Sequence, residues 1–303
     1  MKSAVVTGAN GFVGAWLIDT LVKNGVKVYA VIKDTNEDIS RIKDLDNCNI
    51  VYCELNEILD LPNRINDTPD VFYHLAWAGA GGAGRADYTL QLSNAKFSCD
   101  AAMSAKELGC KKFLCAGTIT EKIAENILNI DVKAENTIYA LEKHNTHCLL
   151  DILCKKIGLD YVWMRFSNIY GPYNTSGNIV SYMLGELAKG NRPSFSKGEQ
   201  PYDLMYIEDL VKAIYLLGEK ETKKNCYFLG SGRPRLLKDY LIQIKDIYGS
   251  GAQIGLGERP EDGLKYYDEW FDIADLREDT GFKPEYSFDE AITKTVKWIK
   301  GEV

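Results

Sequence analysis

The sequence of 303 residues is poor in the patterns that build metal sites and disulfide frameworks. It contains three histidines, none of them in a His-Glu-x-x-His arrangement, and its eight cysteines form no Cys-x-x-Cys pair. Histidines and cysteines at short fixed spacings are the usual ligands of a protein zinc site. We therefore expect no metal site, and we expect reduced cysteines that pack as small apolar side chains, as in the run KKFLCAG.

Long apolar runs and an excess of positive charge are also missing. No stretch approaches the roughly 20 apolar residues of a membrane-spanning helix, and Met1-Lys2 leads directly into an apolar segment without a signal-peptide pattern. The 43 acidic residues outnumber the 36 basic ones, which gives a formal net charge of -7. We expect a cytoplasmic protein with neither a nucleic-acid nor a membrane partner, in which an anionic ligand would need a local basic pocket.

What the sequence does contain is a regular alternation of short apolar runs and longer segments of helical period. This alternation is typical of a parallel sheet with crossover helices, and it predicts an α/β fold with a Rossmann-type doubly wound parallel sheet. The predicted strands are Ala4–Thr7, Val26–Ile32, Ile50–Cys53, Val71–Leu75, Phe113–Ala116 and Tyr161–Arg165. The predicted helices are Gly11–Asn24, Leu90–Leu108, Ala134–Ile157 and, near the end of the chain, Phe288–Ile299.

The composition changes after about residue 170, where turn residues accumulate in YGPYNTSGN and KGNRPSFSKGEQPYD. This change predicts a second, smaller α/β lobe that binds the substrate. We expect a dinucleotide-binding domain of residues 1–170, to which residues 202–229 return. The C-terminal substrate lobe then consists of residues 171–201 and 230–303.

A glycine turn, Gly8, Gly11 and Gly14 in TGANGFVG, follows the first strand and opens a helix. Backbone amides at such a turn can approach a diphosphate closely, and the positive end of the helix favours the negative charge. Three glycines could also form a tight turn that binds nothing. The strand before them and the amphipathic helix after them favour a dinucleotide site.

The end of the second strand, YAVIKD, bears on the choice of cofactor. NAD sites usually place an acid here for the ribose hydroxyls, whereas NADP sites supply a cation for the 2′-phosphate. Ile32 occupies the position of the acid and Lys33 follows it, so the pattern favours NADP(H). NAD(H) is the alternative, since Asp34 comes one residue later and Lys33 could be an ordinary solvated lysine.

Tyr139 and Lys143 stand four residues apart in a helical segment, so their side chains share one face. A free tyrosine titrates near pH 10, and a neighbouring ammonium group lowers that pKa toward the range useful for a general acid or base. Upstream, Thr118 ends a strand and so faces the crevice of the sheet. A tyrosine and a lysine at this spacing are common by chance, but their order after the glycine turn and Thr118 indicates an active site.

Six motifs in the order of the family make the chain similar to the extended short-chain dehydrogenases/reductases. They are TGANGFVG, HLAWAG, YALEK, RFSNIYGP, YDLMYIEDLVKAI and ERPEDG. Within them it resembles the NAD(P)-dependent nucleotide-sugar epimerases, dehydratases and reductases, over nearly its whole length. The resemblance implies that Thr118 holds the sugar oxygen, that Tyr139 transfers its proton, and that Lys143 binds the nicotinamide ribose and tunes Tyr139. It also implies a cofactor site of Gly8, Gly11, Phe12, Val13, Gly14, Lys33, Glu54, Leu55, Leu75, Ala76, Tyr139, Lys143 and Phe166, and substrate contacts from Thr118, Asn168 and Arg259.

Two departures from the family bear on the reaction. The 4,6-dehydratases carry Asp-Glu directly after the hydroxyl residue, whereas this chain has Ile119 and Thr120, which disfavours dehydration. The glycine-rich loop AGAGGAGRADY, residues 78–88, follows a strand at the edge where substrate binds in this fold. One hypothesis is that this flexible loop closes over the sugar and brings Arg85 to it; the alternative is a mobile surface loop.

The first prediction for function is an NADP(H)-dependent reductase of a keto group on a nucleotide-linked sugar, of the 4-ketoreductase type, with Tyr139 as general acid/base. The alternative is an NAD-dependent nucleotide-sugar epimerase that uses the same residues. A sensor that binds a dinucleotide without catalysis is a third interpretation, disfavoured by the retained Tyr139 and Lys143. We also expect a homodimer through the helices 90–108 and 134–157.

Overall fold

The computed structural model describes residues 1–125, 127, 134–135, 137–261 and 266–302. The strands within these residues are β1 (Ser3–Thr7), β2 (Lys27–Ile32), β3 (Cys48–Tyr52), β4 (Val71–His74), β5 (Lys112–Thr118), β6 (Asp160–Phe166), β7 (Asn168–Tyr170), β8 (Pro201–Tyr202), β9 (Leu204–Tyr206), β10 (Cys226–Leu229) and β11 (Arg235–Leu236). The helices are α1 (Phe12–Lys23), α2 (Tyr88–Glu107), α3 (Glu121–Ala124), α4 (Thr137–Ile157), α5 (Ile179–Ala188), α6 (Ile207–Glu219), α7 (Leu237–Tyr248), α8 (Ala274–Thr280) and α9 (Phe288–Ile299).

Seven of the strands form one parallel sheet in the order β10-β6-β5-β4-β1-β2-β3. The strand order reverses between β1 and β4, and the register sets Thr7 of β1 beside Val31 on one side and His74 on the other. A crevice opens at such a reversal, outside the carboxyl ends of the strands, because the crossover helices on the two sides run over opposite faces. This edge of the sheet therefore carries the candidate site.

Both faces of the sheet are buried, which explains why its strands are almost continuously apolar. Successive side chains point to opposite faces, so Val6 packs with Leu17 of α1 in one hydrophobic cluster. Its neighbour Val5 packs with Ala101 of α2 and Leu150 of α4 in the other.

The C-terminal part adds small elements beyond the main sheet. Strand β7 pairs with β9 in parallel, and β8 pairs with β11 in antiparallel fashion. Helix α9 starts with a reciprocal capping box between Ser287 and Glu290. Strand β10, which comes late in the chain, lies beside β6 at the edge of the main sheet. The division into the two predicted domains stays a prediction.

The predicted α/β fold with a Rossmann-type parallel sheet is confirmed. All six predicted strands are present, and the helices begin or end within a few residues of the predicted bounds. The sequence pattern missed that the glycine-rich loop contains a 3-10 segment, Gly82–Ala86. All eight cysteines are free thiols, and only Cys148 is exposed. Within the described ranges, no helix combines the length and apolar character needed to cross a membrane.

Candidate active site

The glycine turn joins β1 to α1 at the carboxyl edge of the sheet. Gly8 has a φ of 66°, and a Cβ there would lie 2.9 Å from the backbone nitrogen of Ala76. Gly11 is the N-cap residue of α1 and has no side chain that could accept a hydrogen bond from the first turn. The first N–H groups of the helix, at Phe12 and Val13, are therefore left for another acceptor. The turn therefore fits the diphosphate of a dinucleotide, which the positive helix end would stabilise.

A buried polar chain fixes the segment that follows β4. The N–H of Ala76 donates to Thr7 Oγ1 at 3.3 Å, and Thr7 Oγ1 lies 2.9 Å from His74 Nδ1. The hydroxyl of Ser98 donates its proton to the carbonyl oxygen of Asn94. Its Oγ can therefore only accept in the 3.2 Å contact with His74, so His74 Nε2 is the donor. Burial lowers the pKa of His74 to about 3, which keeps the ring neutral. The hydroxyl of Thr7 thus donates to His74 and accepts from Ala76.

The other residues expected at the cofactor site lie at the ends of neighbouring strands. Lys33 follows β2 and is exposed, Glu54 caps the 3-10 segment Leu55–Asn63 after β3, and Phe166 ends β6 beside Thr118 of β5. Leu75 and Ala76 follow β4, against the glycine turn. The fold thus places these residues along the same edge of the sheet as the glycine turn.

Thr118 is buried at the end of β5, where a carboxylate holds its backbone. Its N–H donates to Glu121 Oε1 at 2.6 Å, and its hydroxyl lies 3.1 Å from that of Thr120. The other oxygen of Glu121 accepts from Trp163 Nε1 at 2.8 Å and from Arg165 Nε at 3.3 Å. Burial raises the pKa of Glu121, and Arg165 opposes that rise.

Tyr139 and Lys143 lie in α4 and are both buried. Lys143 Nζ donates to the carbonyl oxygen of Ala116 at 2.6 Å and stands 3.6 Å from the ring centroid of Trp77. The Trp77 ring meets that of Tyr139 edge-on, with the centroids 6.2 Å apart. Burial lowers the pKa of Lys143 to about 8 and raises that of Tyr139.

A cavity of about 260 Å³ lies beside Tyr139. Arg85 and Asn168, two of the predicted substrate contacts, line it together with Tyr139, Thr120 and Tyr202. The structure thus brings the loop cation and the tyrosine to one place, and Trp270 and Phe271 from the C-terminal part of the chain line the same cavity.

Arg259, the third predicted substrate contact outside β5, is not part of this cavity. It donates to Ser194 Oγ at 3.0 Å and to the hydroxyl of Tyr182 at 2.5 Å, and it lines a separate cavity of about 360 Å³. The predicted ERPEDG motif continues beyond Arg259 into residues 262–263, which lie outside the described residues.

Three residues of this region were missed by the sequence interpretation. Trp77 had a signal, since it lies three residues after the end of β4, at the edge of the sheet where ligands bind in this fold. Glu121 and Glu37 had none, because each is one of many acids in a polar segment. Glu37 Oε2 accepts from Asn10 Nδ2 at 3.0 Å, which brings a carboxylate from the loop after β2 onto the glycine turn.

Known proteins resemble this chain in sequence and in fold. The model of the NAD dependent epimerase/dehydratase family matches residues 4–230. A putative UDP-glucose 4-epimerase of Methanocaldococcus jannaschii is 24% identical, with 98% of each chain covered. The UDP-N-acetylglucosamine 4-epimerase of Methanobrevibacter ruminantium M1, solved with UDP-N-acetylmuramic acid, superposes with a TM-score of 0.82 at 23% identity, covering 100% of this chain and 99% of that one. The UDP-glucuronic acid 4-epimerase of Bacillus cereus, solved with NAD, gives a TM-score of 0.78 at 19% identity over 98% of this chain and 96% of that one. At these identities the solved structures establish a shared fold.

Proposed function

The chain belongs to the NAD dependent epimerase/dehydratase family of enzymes, and from that premise we propose that it is an NAD-dependent 4-epimerase of a nucleotide-linked sugar. The observation that carries the proposal is that Tyr139 lines a cavity and shares a buried helix face with Lys143. Lys143 in turn binds the end of β5, the strand that carries Thr118 to the sheet edge of the glycine turn. One family relative that aligns over nearly the full length of both chains has an epimerase name. Membership of an enzyme family, with the tyrosine and lysine retained, sets aside the non-catalytic sensor.

The chain's own residues would hold the cofactor and move the proton. Gly8, Gly11, Phe12, Val13 and Gly14 would bind the diphosphate, as the open N-terminus of α1 allows. The remaining predicted cofactor contacts are Glu54, Leu55, Leu75, Ala76, Lys143 and Phe166. When bound, the nicotinamide cofactor would take a hydride from the sugar carbon and return it to the opposite face.

Proton transfer would fall to Tyr139. In oxidation its deprotonated oxygen would accept the proton of the sugar hydroxyl, and in the return step it would give that proton back. Thr118 would hold the same sugar oxygen through its hydroxyl, which Glu121 positions by fixing the Thr118 backbone. Asn168 would contact the substrate across the cavity, and the contact of Arg259 with the nucleotide stays a prediction from the resemblance.

The choice of NAD(H) over the predicted NADP(H) is supported by Glu37. Its carboxylate lies 3.0 Å from the Asn10 amide of the glycine turn, where it would repel a 2′-phosphate and suit ribose hydroxyls. It can therefore replace the acid that is missing at Ile32.

The NADP(H)-dependent ketoreductase is the second candidate, and exposed Lys33 favours it. Lys33 follows the end of β2 directly and is free to turn toward an added phosphate. A reductase would consume its cofactor with every turnover, whereas an epimerase would regenerate it, so the two functions differ in a directly measurable quantity.

The test is a screen of UDP-, CDP-, GDP- and dTDP-linked sugars and their 4-keto forms, each with NAD⁺, NADH, NADP⁺ and NADPH. An epimerase converts a 4-hydroxy sugar into its epimer without net change in absorbance at 340 nm, and Tyr139→Phe abolishes the conversion. Stoichiometric loss of NADPH with a 4-keto sugar would instead establish the reductase. Full activity of Tyr139→Phe would contradict both.

We also propose a homodimer through α2 and α4. These helices expose Leu92 (55%), Leu149 (43%) and Ile152 (69%), and such apolar side chains on adjacent helices can pack against the same face of a second copy. Sedimentation equilibrium should give twice the chain mass. Replacing Leu92 and Ile152 by glutamate should shift it to the monomer, while a monomeric wild type would overturn the proposal.

A further inference from the structure

The guanidinium group of Arg85 lies over the ring of Tyr139, with its central carbon 4.2 Å from the ring centroid. Tyr139 is 7% exposed, so little solvent screens the two groups from each other. Arg85 Nε is itself buried and finds no hydrogen-bond partner among the described residues. A cation this close stabilises a deprotonated phenol relative to a neutral one.

Lys143, the cation that the resemblance assigns to this task, is farther from Tyr139 and is held by other groups. Its Nζ is 6.0 Å from the Tyr139 ring centroid, bound to the carbonyl oxygen of Ala116 and stacked on Trp77. Burial lowers the pKa of Lys143 to about 8, so it loses charge in mildly alkaline solution. A guanidinium keeps its charge over the whole range in which enzymes operate.

The loop that carries Arg85 is anchored in this structure through the carbonyl oxygens of two of its glycines. Gln91 of α2 is fully buried and donates through Nε2 to the carbonyl oxygens of Gly79 at 3.1 Å and Gly84 at 2.8 Å. Its Oε1 accepts from Trp77 Nε1 at 2.8 Å. One amide therefore ties the loop to the aromatic ring that packs against both Tyr139 and Lys143.

We propose that Arg85 is a positioning residue for Tyr139, a second cation that favours the deprotonated form of Tyr139, which accepts the proton of the sugar hydroxyl. This inference rests on the proposed function and deepens it. In the step concerned the sugar O–H bond breaks, its proton joins the phenolate oxygen of Tyr139, and the electron pair of the carbon's C–H bond leaves with the hydride to the nicotinamide group. Burial raises the pKa of Tyr139, and the charge of Arg85 is the main influence that opposes this rise.

The first test needs no substrate. The ultraviolet absorbance of tyrosinate is titrated in wild type and in Arg85→Met, and the same titration of the matching Tyr139→Phe proteins is subtracted to isolate Tyr139. Ionisation of Tyr139 should move to higher pH in Arg85→Met and stay near its original pH in Arg85→Lys. Arg277→Met, at an exposed arginine on α8, is the matched control and should change nothing.

The second test is the pH dependence of kcat for oxidation of the cognate sugar. Its rising limb should move to higher pH in Arg85→Met, with about a tenfold loss of kcat at pH 7 for each unit of that movement. A raised KM with an unmoved limb and an unmoved titration would overturn the proposal and make Arg85 a substrate contact only.

Two design features keep the outcome interpretable. Circular dichroism checks that Arg85→Met folds, and Arg85→Gln provides a second neutral variant if it does not. The titration is done without substrate. If Arg85→Met shifts the ionisation of Tyr139 but the wild type turns over no nucleotide sugar, the proposed function alone is wrong. If the wild type is an active epimerase but Arg85→Met leaves the ionisation of Tyr139 unchanged, this inference alone is wrong.

Discussion

Lys143 Nζ donates a 2.6 Å hydrogen bond to the carbonyl oxygen of Ala116, at the end of the strand that carries Thr118. The bond joins α4 to β5 and places a buried ammonium where water is excluded. Desolvation destabilises the charged form of Lys143 in the folded protein, and burial therefore lowers its pKa to about 8. Lys143 is therefore expected to serve activity at the expense of stability.

We predict that Lys143→Met abolishes epimerisation and stabilises the protein near pH 7. The folded protein loses the lysine proton near pH 8 and the unfolded chain near pH 10.5, so the unfolded state binds more protons between these values and wild-type stability rises with pH across them. The pKa shift corresponds to a destabilisation of about 3 kcal/mol, which the variant removes. Loss of the hydrogen bond to Ala116 reduces this gain by about 1 kcal/mol. Urea unfolding at pH 7 and pH 10 measures the difference in free energy of unfolding between variant and wild type, which should be smaller at pH 10. Equal destabilisation at both pH values would contradict the prediction.

We predict that Glu37→Gln weakens binding of NAD⁺ by about tenfold to a hundredfold, since a hydrogen bond to a charged group contributes about 1.5–3 kcal/mol. NADP⁺ should bind better to this variant than to wild type, because the repulsion of its 2′-phosphate is removed. Isothermal titration calorimetry with both cofactors provides the measurement. Asp38→Asn, one residue along at an exposed aspartate that accepts from the Ser40 N–H, is the control. If Lys33→Met, rather than Glu37→Gln, changes the cofactor preference, the NADP(H) prediction is right.

We predict that Gly14→Ala destabilises the protein by about 2–3 kcal/mol, the usual cost of forcing atoms into a packed site. A Cβ at Gly14 would stand 2.1 Å from the carbonyl oxygen of Gly8, which belongs to the turn itself. Gly185→Ala within α5 is the control: no atom lies within 4 Å of its Cβ position, and alanine should stabilise the helix by about 0.5–1 kcal/mol. Urea unfolding should therefore give shifts of opposite sign.

We predict that Glu121→Gln lowers stability by about 3 kcal/mol, because it leaves buried Arg165 facing an amide instead of a carboxylate. The amide has one accepting oxygen, which cannot serve both the Thr118 N–H on one side and Trp163 Nε1 on the other. Activity should fall as well, since Thr118 loses its anchor. Glu125→Gln removes the charge of the other partner of Arg165, at an exposed position, and should cost under about 1 kcal/mol. Similar losses in the two variants would show that burial of the carboxylate does not matter.

Much of the fold could be predicted because its signals are local. An apolar run followed by a glycine turn and an amphipathic stripe specifies strand, turn and helix through backbone geometry that each segment carries itself. Thr118, Tyr139 and Lys143 could be placed together for a similar reason, since parallel strands end at one edge of the sheet and residues four apart share a helix face.

The sequence by itself therefore determined the parallel sheet, the glycine turn and the paired Tyr139 and Lys143. Only the tertiary structure decided that Arg85 stacks on Tyr139, that Glu37 reaches Asn10 and that Glu121 pairs with Arg165. These contacts join side chains that are 54, 27 and 44 residues apart. Their partners are chosen by the packing of whole helices and loops against the sheet, and no periodicity within a single segment records that packing.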